Sequence, residues 1–160
     1  MDDDLQAFEA WFGRILAGMD PAKRRRATNR LGQRLRASNL VRIAQNVEPD
    51  GTPFKPRRPR KDRRGRLRSR AGGKMFKGLR YARNWKIDAD EDGVTIYPAT
   101  NAVDRVASVS HFGEVAVVGY LRGGAPIRAR YPVRRLLGFS PEDDFLTLEV
   151  AASLLDPDAD

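Results

Sequence analysis

The side chain with the most chemistry to offer is His111, the single histidine in 160 residues. A Ser-His-Asp triad would have to use it, and Ser108, Ser110 and Glu114 lie close by in sequence. Triad partners converge in space rather than along the chain, however, and no Gly-x-Ser-x-Gly elbow exists. Beside Phe112 a structural histidine is the expectation. Asp88-Ala89-Asp90-Glu91-Asp92-Gly93 matches the first half of a calcium loop, but the twelfth position, where a bidentate Glu belongs, is Ala99. The coordination shell is incomplete, so the stretch reads as an acidic hairpin tip. Gly73-Lys74 resembles the end of a phosphate loop, yet the first glycine would fall on Arg68 and the hydroxyl on Met75, and both fail. Gly123-Gly124 lacks a strand–turn–helix context and reads as a turn. Asp143-Asp144 sits at a helix start, where carboxylates favour the positive end of the dipole. With no cysteine, disulfides, zinc–thiolate sites and cysteine nucleophiles are excluded. No catalytic residue, metal site or cofactor is expected.

What remains is charge. The chain carries +9 overall. Between Lys55 and Lys74 lie eleven basic residues (Lys55, Arg57, Arg58, Arg60, Lys61, Arg63, Arg64, Arg66, Arg68, Arg70 and Lys74) against Asp62, a net of +10 that leaves −1 for the other 140 residues. Pro53, Pro56, Pro59, Gly65, Gly72 and Gly73 punctuate the segment, and Leu67 is its one large apolar residue between Phe54 and Met75. It cannot bury enough apolar area to offset chain entropy, and like charges push it open. Residues 49–74 therefore read as an extended basic arm within one domain spanning 1–160. Two partners suit it. Phosphate backbones would bind with a steep salt dependence, and arginine suits bidentate contact. The absence of an aromatic residue between Phe54 and Phe76 argues against base stacking. An acidic protein surface would suit it equally, and a solvated loop is the plain alternative.

The elements that carry these residues follow from periodicity. Leu5, Phe8, Phe12, Ile15, Leu16 and Met19 recur at helical steps, predicting an amphipathic helix over 3–19. Asp20-Pro21 reads as N-cap and first position of a second helix running to about Val47, and the two would form a hairpin. Its stripe of Ala27, Leu31, Leu35, Leu40, Ile43 and Val47 contains a five-residue step that rotates it by about 140°. The helix either changes neighbours there or breaks near Ser38-Asn39. Glu48 to Pro53 is a turn. Met75, Phe76 and Leu79 suggest a short helical or docking element. Strands are predicted over 84–88 and 94–98 around an Asp-Gly turn, a helix over 101–110, and strands over 114–121 and 127–131. Ser140-Pro141 opens a last helix, with Asp143 as a weak capping box and Phe145, Leu148, Ala152 and Leu155 as its buried stripe. The fold class is α+β, with an N-terminal helical hairpin and the C-terminal helix packed on a small, mostly antiparallel sheet. No apolar stretch approaches the roughly 20 residues of a bilayer span. The first residues, Met1-Asp2-Asp3-Asp4, are no basic signal region, so an intracellular protein is expected.

Three stretches together carry a resemblance: EPDGTPFKPR at 48–57, MFKGLR at 75–80 and RYPVRRLLGF at 130–139. In this order, with His111-Phe112-Gly113 as an H-x-G step between the last two, the chain resembles the phage virion morphogenesis proteins, the tail completion proteins of contractile-tailed temperate phages. The likeness runs from about residue 5 to 155. Glu114–Ala129 departs from it, being more apolar than the polar linker expected there. It would be an added hairpin, or a surface for a different partner.

The resemblance implies a non-enzymatic structural protein of the virion tail and neck, made in the host cytoplasm. It would act at the head-proximal end of the tail and support joining to the head. Copies would form a ring, often sixfold, with neighbouring tail and neck proteins as partners, DNA in the channel as a non-specific contact, and no membrane. Contact candidates are Arg57, Arg58, Arg60, Arg63, Arg64 and Arg66 on the arm, with Tyr131, Pro132 and Phe139 as anchors. Leu136 and Leu137 are expected in the core. Arg63, Arg64, Arg66, Arg68 and Arg70 are the DNA-facing candidates.

Overall fold

The computed structural model describes residues 20–57, 64 and 74–155. The helix expected over 3–19, its hairpin with the next helix, and most of the basic arm lie outside these residues.

Helix α1 (Pro21–Gln45) starts as its sequence dictates: the Asp20 carboxylate accepts the Ala22 N–H at 3.0 Å and Pro21 occupies the first turn. It runs unbroken through Ser38-Asn39. The phase gap in the apolar stripe is filled by Asn39 itself, so that Leu35, Asn39 and Ile43 form one buried line. Burying a polar side chain there is tolerable because both ends are bonded. Its Nδ2 donates to the Leu35 carbonyl at 2.8 Å, and its Oδ1 accepts the Gly138 N–H at 3.0 Å. The helix stops short of Val47 because Asn46 turns left-handed (φ 60°) and donates its N–H to the last carbonyls.

Strands β1 (Trp85–Ala89) and β2 (Val94–Pro98) pair antiparallel, Ile87 opposite Ile96. The acidic stretch is their tip. The Asp90 carboxylate accepts the N–H groups of Asp92 and Gly93 at 2.9 and 2.8 Å, an Asx-type turn. Arg24 of α1 reaches the Glu91 carbonyl and the Asp92 carboxylate, at 3.1 and 2.9 Å, and the Thr28 hydroxyl donates to the Asp90 carbonyl. Gly32 lets the helix lie close on this hairpin, since a Cβ there would sit 2.4 Å from Val94 Cγ2 and 2.8 Å from Ile87 Cγ2.

Helix α2 (Asn101–Phe112) is capped by Thr100 at its start and by left-handed Gly113 (φ 68°) at its end. Strands β3 (Val115–Tyr120) and β4 (Pro126–Arg130) form a second antiparallel hairpin with a bulge between Val117 and Gly119. The Gly123-Gly124 turn closes it. Helix α3 (Pro141–Leu155) opens on a reciprocal capping box: the Asp143 carboxylate accepts the Ser140 N–H at 3.0 Å, and the Ser140 hydroxyl accepts the Asp143 N–H at 3.3 Å.

The fold is mixed α+β, as expected. Two details differ. The small sheet is two separate two-stranded hairpins, and α3 packs chiefly against α1. The expected stripe on α3 also faces outward: Phe145 is 74% exposed and Leu148 66%. Asp143 and Val150 face inward instead, because Arg42 of α1 pairs with Asp143 at 2.8 Å and sets the rotation of the helix. The core comprises Ile43, Phe54, Met75, Leu79, Trp85, Ala107 and Leu136.

Candidate functional site

Each of the three motif stretches contributes to that one core, and they meet where the basic arm leaves the body. Glu48 to Thr52 is a tight turn held by the Glu48 N–H on the Thr52 carbonyl at 2.7 Å, with Gly51 at φ 85°. The Asp50 carboxylate accepts both the N–H and the hydroxyl of Thr52. The turn delivers Phe54 into the core on the near side of the arm. On the far side Met75 enters the same core, its N–H donating to Asn46 Oδ1 at 3.0 Å. Phe76, left-handed at φ 54°, puts its ring edge-on to Phe54, centroids 5.7 Å apart. Leu79 completes the docking element, its carbonyl accepting the indole N–H of Trp85 at 2.8 Å. The two ends of the arm are therefore held side by side.

The third stretch is the clamp. Arg134 is 4% exposed, and its guanidinium donates to the carbonyls of Lys55 and Pro56 at 2.6 and 3.1 Å, gripping the first residues of the arm. Arg135 bridges the turn, donating to the Glu48 carboxylate at 2.8 Å and to Asp50. Leu136 is buried and its N–H donates to His111 Nδ1 at 3.2 Å. Gly138 lies against Pro49, where a Cβ would come within 2.7 Å of the ring. Its carbonyl accepts from Arg42 at 2.9 Å, and Arg42 also donates to the Ser140 hydroxyl at 3.1 Å. One arginine thus joins α1, the clamp and the start of α3. Gly113 of the H-x-G step is needed twice: it is left-handed, and a Cβ would meet Val133 Cγ2 at 2.7 Å and the Tyr131 carbonyl at 3.1 Å.

The electrostatics follow from burial. Removal from water pushes the Arg134 guanidinium below its ordinary value, and the like charge of Arg57 adds to this. It donates to carbonyl dipoles, those of Lys55 and Pro56. For Asp143, burial raises the carboxyl. Hydrogen bonds from Ser38 and the Ser140 backbone, with the charge and hydrogen bond of Arg42, outweigh burial and hold it below the usual carboxylate range. Burial, then the charge of Arg135, lowers His111. An Nδ1 that accepts an N–H bears no proton, so the imidazole is neutral with its hydrogen on Nε2. His111 is a splint between α2 and the clamp.

Arg57 stands exposed at the root of the arm and Arg64 is exposed further along it. Arg58, Arg60, Arg63, Arg66, Arg68 and Arg70 lie outside the described residues. Tyr131 and Pro132 are half-buried beside the clamp, whereas Phe139 is exposed. Leu136 is core, and Leu137 packs partly buried against it. The residues that do most at the root, Asn39, Arg42, Arg134, Arg135 and Asp143, were not singled out for this from sequence. The sequence signals for them were indirect: the phase gap that Asn39 fills, the capping position of Asp143, and the motif stretch that contains Arg134 and Arg135. Among the described residues no group of three or more His, Asp or Glu is placed to hold a metal ion, and no helix is long and apolar enough to cross a membrane.

A model of the phage virion morphogenesis family matches residues 3–156. The chain belongs to this family. It is 30% identical over 156 residues to "Tail completion protein S" of Escherichia phage P2, covering 96% of this chain and 99% of that protein. No solved structure matches it. For a virion morphogenesis protein, the three stretches behind the resemblance thus have a physical role: they build one root from which a basic segment leaves and to which it returns.

Proposed function

We propose that this chain is a structural protein that completes the phage tail at its head-proximal end and supports joining of tail to head, without catalysing a reaction. The observation that carries the reading is the full-length likeness to a tail completion protein. The root supports it. Its polar groups are engaged in holding backbone together, with Arg134 and Arg135 bonded to the residues on either side of Phe54. Copies form a ring around the channel that DNA crosses, with neighbouring tail and neck proteins above and below, and the protein resides in the tail and neck region of the virion. In a closed ring each copy offers two unlike surfaces, and a basic arm and an acidic last helix on one chain meet that requirement.

The test is a phage from which this coding sequence is deleted. Heads and tails accumulate unjoined, and supplying the chain in trans restores joined particles. Electron micrographs of mature particles carrying a tagged chain place the tag at the neck. Complete, head-joined tails in the deletion strain, or a turnover measured with the purified chain, would overturn the reading.

A further inference from the structure

Among the described residues the β3–β4 hairpin is largely uncovered. Val115, Val117, Val118, Tyr120, Leu121 and Ile127 are all exposed, Tyr120 at 70%. Val115 stands opposite Arg130, Val117 opposite Arg128 and Tyr120 opposite Pro126. Cross-strand partners share a face, and the bulge keeps Tyr120 on the side of Val115 and Val117. One face therefore combines Val115, Val117 and Tyr120 with two arginines. Two strands without a covering layer are marginal in water, so this hairpin calls for a partner.

The outer face of α3 is its complement. Phe145, Leu148 and Ala152, spaced at three and four residues, are exposed on the side opposite Asp143 and Val150. Glu142, Asp144 and Glu149 flank them, and α3 contains no Lys or Arg. Glu149 also reaches Arg34 at 3.3 Å. One chain thus presents an apolar face edged with positive charge and another edged with negative charge. Among the described residues the two strands of the hairpin pack chiefly on each other, and α3 packs chiefly on α1.

We propose that the hairpin face of Val115, Val117 and Tyr120 docks on the α3 face of Phe145, Leu148 and Ala152 of a second copy, with Arg128 and Arg130 against Asp144 and Glu149. The contact is head-to-tail, so repetition closes a ring or extends a filament. It rests on the self-assembling part of the proposed function and names its surfaces. Residues 3–19, apolar at helical spacing, are the rival occupant of α3. They carry Asp3, Asp4 and Glu9 against Arg14, the same sign as α3, so charge favours the hairpin.

The cysteine-free sequence makes the test direct. Full-length Val117→Cys and Leu148→Cys proteins, both changed at exposed positions, are mixed and mildly oxidised. A covalent dimer is expected in the mixture and in neither protein by itself, and the double variant gives a ladder of covalent oligomers. Arg128→Glu with Arg130→Glu abolishes the cross-link, and Asp144→Arg with Glu149→Arg on the other component restores it. Overturning results are no cross-link in the mixture, dimers of Val117→Cys by itself, or Leu148→Cys bonding instead to Phe12→Cys within its own chain. Trans-complementation of the deletion phage separates the two readings. Normal joining by a chain whose hairpin cross-link fails leaves the tail role intact and removes only these surfaces. Failure of the unaltered chain to complement removes the tail role whatever the cross-links show.

Discussion

Asp143 and His111 both sit at contacts between elements, and each makes stability depend on pH. Asp143 is 1% exposed and faces Arg42, itself largely buried. Asp143→Ala leaves that guanidinium without its counter-charge, a change that costs about 3–5 kcal/mol for a buried pair; urea unfolding should show the midpoint falling accordingly. Its folded-state carboxyl lies below the ordinary 3.8. The stability it contributes is therefore present above that value and lost as pH falls through the folded one. His111 acts in a higher window. Its folded-state value lies below 6.5, so below pH 6.5 the unfolded chain binds a proton that the folded chain resists. Stability is complete above 6.5 and declines as pH drops beneath it. His111→Asn offers a side-chain oxygen in place of Nδ1 and does not titrate. Urea midpoints measured across this range should lose their slope in that variant; equal slopes in both proteins would remove His111 as the source.

At the scale of elements, glycine positions decide what can touch. Helix propensity favours Ala over Gly in a helix interior by about 1 kcal/mol, so Gly32→Ala should stabilise α1 considered by itself. The Cβ would lie 2.4 Å from Val94, and overpacking of that kind costs about 1–3 kcal/mol. The net expectation is a lower melting temperature for Gly32→Ala, recovered in part by Val94→Ala, which removes the colliding methyl. A rise in the single variant would show that the β1–β2 hairpin yields freely. The orientation of α3 belongs to this scale too. Apolar residues lie on more than one side of it, and the Arg42 pair selects the side with Asp143 and Val150. The Phe145–Leu148 face is thereby left for another surface.

For the whole molecule, the basic residues 55–74 and the rest of the chain are separable by charge: the other 140 residues sum to −1. Arg134 holds Lys55 and Pro56, and Asn46 holds Met75. Replacing Arg57, Arg58, Arg60, Arg63, Arg64 and Arg66 by Glu should leave thermal unfolding of the body close to unchanged while abolishing tail completion in the complementation assay. DNA gel shifts then discriminate between partners. If the arm's partner is protein, DNA binding is the same before and after the changes. A salt-steep DNA affinity that disappears with them, while tail joining persists, would make the chain a non-specific nucleic-acid binder instead.

Much of this protein was legible in one dimension because the signals were local. Asp20-Pro21 and Ser140-Pro141 mark helix starts through bonds within a few residues, and the Asp90 carboxylate closes the hairpin tip on the N–H groups of Asp92 and Gly93. The order of the three motif stretches was sufficient to place the family. What the tertiary structure decided was long-range. Arg134 grips carbonyls 78 and 79 residues away, Asn39 receives an N–H from 99 residues on, and Gly32 and Gly138 matter only for what lies across from them. Periodicity states that a helix has a face to bury, but with apolar residues on two sides of α3 it cannot say which. That choice falls to a buried ion pair that exists only once α1 and α3 are packed.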